Sequence, residues 1–400
     1  MKTDEKDLAL NGGQPIRKIL LPYGKQNIRM EDIEAVTEVM FSDWLTTGPK
    51  VAEFEQVFAR TVQAKEAVAV CNGTAALHTA MFALGIQPGD EVIVPAMTFA
   101  ASANCVVYQG GKPVFCDVNP DTLLIDPEKI PEKITPRTKA IIAVDYAGQP
   151  CDYDRIAEIA QEHRCAVVDD ACHSLGSTYK ERPAGTLGLL NAFSFHPVKT
   201  ITTGEGGMIT TDDSALAGKM RLFRNHGITS DHRQREEEGS WFYEMVDLGF
   251  NYRLTDMQCA LGMSQVTKLP DWVSRRQEIA RQYDAAFSSI PGVYPLAVRP
   301  EVTHAYHLYV VRLDPSVLKR HDRAFIFRAL RAEGLGVNVH YIPVHLHPFY
   351  RTRFGTGPGL CPVAETAYKN IISIPMFPRM TDPDVADVIA AVEKVTGSCL

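Results

Sequence analysis

Phe193-Ser194-Phe195-His196-Pro197-Val198-Lys199-Thr200-Ile201-Thr202-Thr203-Gly204-Glu205-Gly206-Gly207 runs from an apolar segment into a lone lysine, then into small, hydroxylated and glycine residues. Taken alone it is either a strand end with a surface turn or a strand end that presents a reactive amine. Its surroundings favour a sheet. Short apolar runs flank it at Glu66–Val70, Glu91–Val94, Pro113–Val118, Ala140–Val144, Ala166–Val168, Asn191–Phe195 and Met208–Thr211. Between them stand stretches of helical spacing, Ala75–Leu84, Ser102–Tyr108, Asp154–His163 and Ser214–Arg224. Strands alternating with helices predict an α/β fold: a large, mostly parallel sheet with helices on both faces. Ligands of such sheets bind beyond the carboxyl ends of the strands, and Lys199 follows one such end.

Outward from this centre, residues 1–19 read as a loose polar arm, 20–270 as the large domain, and 271–400 as a connecting helix and a smaller C-terminal α+β domain. Glu31–Phe41 has helical spacing with Ile33, Val36, Val39 and Met40 on one face, and Val51–Val62 forms a second amphipathic helix. Residues 228–247 are charged and irregular, a solvated loop or a flap. Asp256–Val266 and Val273–Ser288 are helical. The runs His307–Leu313 and Val337–Ile342, with helices at Ala324–Glu333 and Asp384–Val395, make up the smaller domain.

The 400 residues carry a net charge of −7, which argues against a general nucleic-acid surface. Nine cysteines are scattered without a Cys-x-x-Cys pair, and the first ten residues lack the apolar core of an export signal. These features predict reduced thiols and a cytoplasmic protein. No apolar run approaches the ~20 residues of a membrane span.

Candidate chemistry gathers at the strand ends. Asn72-Gly73-Thr74 lies between a strand and an Ala-rich helix, so it is either an ordinary helix cap or a cradle for a phosphate, with Ser194 offering a further hydroxyl. Val167-Val168-Asp169-Asp170 ends a buried strand in two carboxylates. An unpaired buried carboxylate is costly, so at least one should meet a cation: a salt-bridge partner, a helix N-terminus or a protonated pyridine nitrogen. Phe99 could lie on one face of a ring and His173 on the other side, although Phe99 could equally be core. Lys199 is the candidate Schiff-base amine, because desolvation would bring an ammonium below its usual ~10.4.

At Trp44-Leu45-Thr46-Thr47-Gly48-Pro49, Gly73-Thr74-Ala75-Ala76-Leu77-His78, Asp170-Ala171-Cys172-His173-Ser174-Leu175-Gly176, Ser194–Lys199, Gly204–Gly207 and Asn251-Tyr252-Arg253-Leu254-Thr255-Asp256 the chain resembles a known family. This is the pyridoxal-phosphate-dependent sugar aminotransferases of DegT/DnrJ/EryC/StrS type, over roughly residues 20 to 395. The resemblance implies fold type I, the aspartate-aminotransferase architecture, with pyridoxal 5′-phosphate as cofactor. It implies Lys199 as the Schiff-base lysine, Asp170 on the pyridine nitrogen and His173 beside the ring. Asn72, Gly73, Thr74 and Ser194 would hold the phosphate. Asn251 would reach the phosphate of a partner subunit's cofactor, making the protein a homodimer. Tyr23, Asp43, Trp44, Leu45, Thr46, His340, Tyr341 and His345 would face a nucleotide-sugar substrate, with an amino acid, L-glutamate, as donor.

Ala147-Gly148-Gln149-Pro150-Cys151-Asp152, His226-Gly227-Ile228-Thr229 and Val337–His345 are similar to a subgroup that aminates C4 of a UDP-linked 4-keto-6-deoxy-N-acetylhexosamine on the way to pseudaminic acid. The alternatives are a dTDP- or GDP-linked sugar, a C3 ketone or a cyclitol ketone. The family's dehydratase branch carries histidine in place of the lysine, so Lys199 points to transamination. A metal site on His340, His345 and His347 has neither a helical His-x-x-x-His pair nor a nearby carboxylate, and no metal is expected.

Overall fold

The sheet predicted from the alternating runs is present in a computed structural model that describes residues 4–230, 232–237 and 239–399. Met1–Thr3, Asp231, Glu238 and Leu400, which belong to the arm, the charged stretch and the C-terminal domain as read above, lie outside the described residues. The strands of the first half are β1 (Glu66–Val70), β2 (Glu91–Pro95), β3 (Lys112–Cys116), β4 (Thr138–Val144), β5 (Ala166–Asp170), β6 (Thr178–Tyr179), β7 (Arg182–Pro183), β8 (Leu190–Ser194) and β9 (Gly207–Thr211). The large sheet has the order β1-β9-β8-β5-β4-β2-β3. β9 runs against β1 and β8, and the other neighbours are parallel. Val68, Ile93, Val94, Ile141, Ile142 and Val168 are fully buried, as β-branched residues in a doubly covered sheet should be.

The covering helices are α1 (Met30–Met40), α2 (Pro49–Val62), α3 (Gly73–Ala83), α4 (Ala101–Tyr108), α5 (Tyr153–His163), α6 (Ser214–Phe223), α7 (His232–Glu237) and α8 (Asp256–Val266). α3 is apolar nearly all round and correspondingly buried, from Ala75 to Met81. Then follow α9 (Leu269–Phe287), β10 (Val293–Pro295), β11 (Val302–Thr303), β12 (Tyr309–Leu313), α10 (Arg323–Ala332), α11 (Pro348–Phe354), α12 (Pro362–Asn370), β13 (Ile371–Ile374) and α13 (Asp382–Gly397). A second sheet, β10-β12-β13, packs with α9, α10 and α13 around Ile279, Phe287, Val311, Ile326, Ile372 and Val388.

Strand direction places Lys199. Because β9 is antiparallel to β8, the 195–206 connection leaves and re-enters the sheet at one edge. Phe195 N–H donates to Gly206 O at 2.8 Å, and Thr203 N–H to Phe195 O at 3.1 Å. Gly207 pairs with both Val70 and Ser194. A Cβ there would stand 2.4 Å from Asn72 O and 3.0 Å from Gly73 N. Glycine therefore lets the start of β9 pass directly beneath the start of α3.

Three expectations change. The arm is docked: Leu8 is fully buried in the C-terminal core, and buried Glu333 accepts from Ala9 N–H at 2.8 Å and Ile16 N–H at 3.0 Å. α1 presents a different face from the one its spacing predicts. Asp32 turns inward to Lys268 at 2.9 Å and to Ser264 and Gln265, while Ile33 and Met40 are exposed and Val39 alone of the four is buried. Val337–Ile342 is no strand. Asn338 exchanges hydrogen bonds with Ser373, and beyond it Tyr341 N–H turns to Met97 Sδ, so the segment becomes cavity wall.

Gly207→Ala should destabilise the fold by about 1–3 kcal/mol through this clash. Because the strain falls on Asn72 and Gly73, cofactor affinity should drop with it. Thermal unfolding and cofactor titration of the variant check both outcomes.

Candidate active site

The carboxyl ends of β1, β2, β4, β5 and β8 converge on one cavity of about 550 Å³. At one side stands the start of α3. Asn72 Oδ1 accepts from Ala75 N–H at 2.8 Å and caps the helix. This commits the Asn72 oxygen to the cap, whereas the N–H groups of the helix's first residues have no intrahelical acceptor. Gly73 has no room for a side chain, since a Cβ would meet Ser194 Cβ at 2.7 Å. Backbone N–H groups, the Thr74 and Ser194 hydroxyls and the helix dipole form an anion cradle.

Asp170, from β5, is buried on the opposite side. Ser102 on α4 donates to its Oδ2 at 2.6 Å, and Thr98 and Ser102 hydroxyls meet at 2.7 Å. Cys172 N–H approaches Oδ1 at 3.3 Å. Lys199 lines the same cavity, and its N–H closes a turn onto His196 O at 2.9 Å. Burial pushes the Lys199 amine below its ordinary value, against the opposing pull of Cys172 and Asp170.

His173 is buried and neutral. Desolvation, helped by the Lys199 charge, pushes it well below the ordinary imidazole value. Ala147 N–H donates to its Nδ1 at 3.3 Å, which leaves the proton on Nε2, 3.1 Å from the Tyr341 hydroxyl. Phe99, 59% exposed, projects into the cavity 6.0 Å from the Tyr341 ring and is no core residue. Tyr23 and His340 complete the outer wall with ring centroids 5.4 Å apart. His340 Nδ1 meets Ser373 Oγ at 2.8 Å.

Other expected residues lie elsewhere. His345 does not reach the cavity: it is fully buried, and its Nε2 meets Glu365 Oε1 at 2.9 Å, so it braces the segment between β2 and α12. Asp43, Trp44, Leu45 and Thr46 form a surface loop fastened to the start of α8, with Asp256 N–H donating to Leu45 O at 3.1 Å. Asn251 is exposed and outside the cavity, although Cys71 N–H bonds the neighbouring Tyr252 O at 2.8 Å. His340 and His345 take different partners, and among the described residues no three His, Cys, Asp or Glu side chains converge as a metal requires. Sequence reading missed Ser102, taken only as a helix start, and His307, taken as part of an apolar run. His307 lines the cavity with its ring 4.4 Å from His173. Hydroxyl and imidazole roles of this kind leave no periodic signal.

The profile of the DegT/DnrJ/EryC1/StrS aminotransferase family matches residues 26–393. The chain belongs to this family. It is 45% identical over 381 residues to the spore coat polysaccharide biosynthesis protein SpsC of Bacillus subtilis, covering 95% of this chain and 98% of SpsC. Its structure is similar to a sugar aminotransferase of Streptococcus pneumoniae, Spr1654, in its pyridoxamine-phosphate form, with TM-score 0.90, 33% identity and coverage of 95% of this chain and all of the other. It is also similar to PseC of Helicobacter pylori, an aminotransferase involved in pseudaminic acid biosynthesis, with TM-score 0.87, 31% identity and coverage of 94% and 99%. The protein is thus a pyridoxal-phosphate-dependent sugar aminotransferase of fold type I. The cavity fits that cofactor, with an anion cradle, a buried carboxylate and a desolvated lysine on its walls. No helix among the described residues is long and apolar enough to cross a membrane.

Purified protein should be yellow with bound cofactor. Lys199→Ala should lose the visible absorbance of the lysine-linked form and all turnover; a colourless wild type that stays colourless with added pyridoxal phosphate refutes the assignment of Lys199.

Proposed function

We propose that the enzyme transfers an amino group from L-glutamate to C4 of a UDP-linked 4-keto-6-deoxy-N-acetylhexosamine. The observation that carries this reading is the cavity itself. Lys199 and Asp170 lie at its floor, and Tyr23, His340 and Tyr341 form an outer wall of rings and hydrogen-bonding groups suited to a sugar. Asn338 to Tyr341 of the subgroup motif Val337–His345 line that wall, Ala147 of the motif Ala147–Asp152 holds His173, and PseC is among the similar structures.

When bound, pyridoxal phosphate supplies a carbonyl carbon that takes up an amine and a ring that accepts the electron pair. The chain does the rest. Gly73 and Thr74 N–H groups, with the Thr74 and Ser194 hydroxyls, would hold the phosphate. Asp170, fixed by Ser102, would face the ring nitrogen and favour its protonated form. Neutral His173, held by Tyr341, would orient the ring. Lys199 Nζ, disfavoured as a cation by burial, would be the amine that holds the cofactor's carbonyl carbon and, when free, the group placed to take up and return a proton at the substrate carbon.

The catalytic unit is a homodimer. None of the described residues lining the cavity is an arginine, so an anionic donor or diphosphate needs groups from elsewhere. Phe41 and Trp241, 89% and 85% exposed, together with Ile33, Met40, Met245 and Leu248, supply apolar surface for a second copy. That copy would bring Asn251 and the Asp43–Thr46 loop to the site. All nine cysteines are free thiols, in keeping with a cytoplasmic enzyme.

A panel of UDP-, dTDP- and GDP-linked keto-deoxysugars with glutamate, read by product mass and NMR, should give fastest turnover and an amine at C4 with the UDP-N-acetylhexosamine. Faster turnover of another nucleotide, or amination at C3, refutes the substrate reading. Heterodimers of inactive Lys199→Ala and inactive Asn251→Ala chains should regain activity, since one of their two sites is intact. No recovery in verified heterodimers refutes the shared site.

A further inference from the structure

Behind the cavity, on the other face of the same strand ends, stand two carboxylates that the reaction does not use. Asp169 precedes Asp170 in β5, and strand alternation turns its side chain away from the cavity. It is fully buried, and neither carboxylate oxygen has a hydrogen-bond partner among the described residues. Asp145 is the first residue past β4 and is also fully buried. β4 and β5 pair with Ala143 opposite Asp169 and Val144 opposite Asp170, so Asp145 falls on the same face as Asp169, one diagonal step away. Asp145 Oδ1 accepts from Cys151 N–H at 3.0 Å and from the Tyr153 hydroxyl at 2.9 Å, while Oδ2 has no partner among the described residues. The Asp145 backbone N–H donates to the Asp170 backbone carbonyl at 3.2 Å, which ties the end of β4 to the end of β5.

Among the described residues the surroundings offer no counter-charge at contact distance. α5 contributes Tyr153, the turn after β4 contributes Cys151, the loop after β5 contributes Ser174, and β5 contributes the like charge of Asp170. Arg299, beyond Cys151, is committed to Asp152 at 2.9 Å and to Glu301. Two neighbouring desolvated carboxylates without a cation cannot both ionise.

We propose that Asp145 and Asp169 share one proton, and that this pair is a positioning element for Asp170, holding a single negative charge behind it across the sheet. The pairing with Asp170 rests on the reading of Asp170 as the partner of the ring nitrogen; the shared proton does not. Desolvation first, and mutual repulsion among the carboxylates, raise Asp145 to about 7 and Asp169 well above the ordinary carboxylate value. Both carboxyls would release their protons near pH ~4 in the unfolded chain. The folded protein keeps protons that the unfolded chain has lost, so stability falls as pH rises above about 4, through about 7 where the pair goes from two protons to one, and on toward the higher value of Asp169.

Infrared difference spectra of wild type minus Asp169→Asn, at neutral pH and without cofactor, should show the C=O band of a protonated carboxyl. In denaturant unfolding of the apoprotein, Asp145→Asn and Asp169→Asn should each flatten the loss of stability across that pH window. In the holoenzyme, removing the pair's charge with Asp145→Asn/Asp169→Asn should move the absorbance titration of the bound cofactor to lower pH. Absence of the band, or unfolding profiles parallel to wild type, overturns the shared proton, and the infrared spectrum of wild type alone decides if a variant fails to fold. An unmoved absorbance titration overturns the positioning role. Asp170→Asn separates the two readings: near-wild-type turnover would sink the role of Asp170, while its carboxyl band and pH slope should persist.

Discussion

The site depends on one close approach, that of Gly207 to the backbone of Asn72 and Gly73. At this point an antiparallel strand starts under the N-terminus of a helix, with no side chain between them. Two structures follow from it. The cradle at Gly73 and Ser194 is drawn tight enough that neither position has slack. The 195–206 connection is anchored at both ends to the same sheet edge, which keeps Lys199 over that edge rather than at the surface. A parallel β9 would have had to start at the opposite end of the sheet, and the crossover would have carried the lysine away.

Electrostatics at the floor of the cavity follow from how strand ends are shared. β5 delivers Asp170 to one face and Asp169 to the other in consecutive residues, and β4 ends beside both. Asp170 receives Ser102 and Asp145 receives Cys151 N–H and the Tyr153 hydroxyl on one oxygen, while Asp169 receives nothing among the described residues. The carboxylate that faces the cavity is thus held by a serine hydroxyl, whereas Asp169 behind it is left without a hydrogen bond among the described residues. Lys199 and the neutral histidines experience the same desolvation, which favours their uncharged forms.

The outer half of the molecule leaves several apolar side chains exposed. α1 turns Asp32 to the interior and leaves Ile33 and Met40 outside, the reverse of a helix that covers only its own core. Such an inversion is understandable where the outer surface has a partner of its own, and the exposed Trp241–Phe250 stretch has the same character.

Periodicity and motif content made much of this protein legible without coordinates. β1 and α8 occupy the ranges their patterns predict, because alternation and 3.6-residue spacing are local consequences of burial. Lys199, Asp170 and Gly73 were visible because each breaks a local pattern: an amine, an acid or a glycine at a strand end. The sequence by itself determined the strand–helix alternation, the family and the chemistry of the cofactor. Tertiary structure alone decided that Ser102 buttresses Asp170, that His307 lies beside His173, that His345 is a brace, and that the N-terminal arm is docked on Glu333. Those facts depend on contacts between residues far apart in the chain, whose partners are chosen by packing and by the need to satisfy buried polar groups, and neither leaves a mark in local sequence.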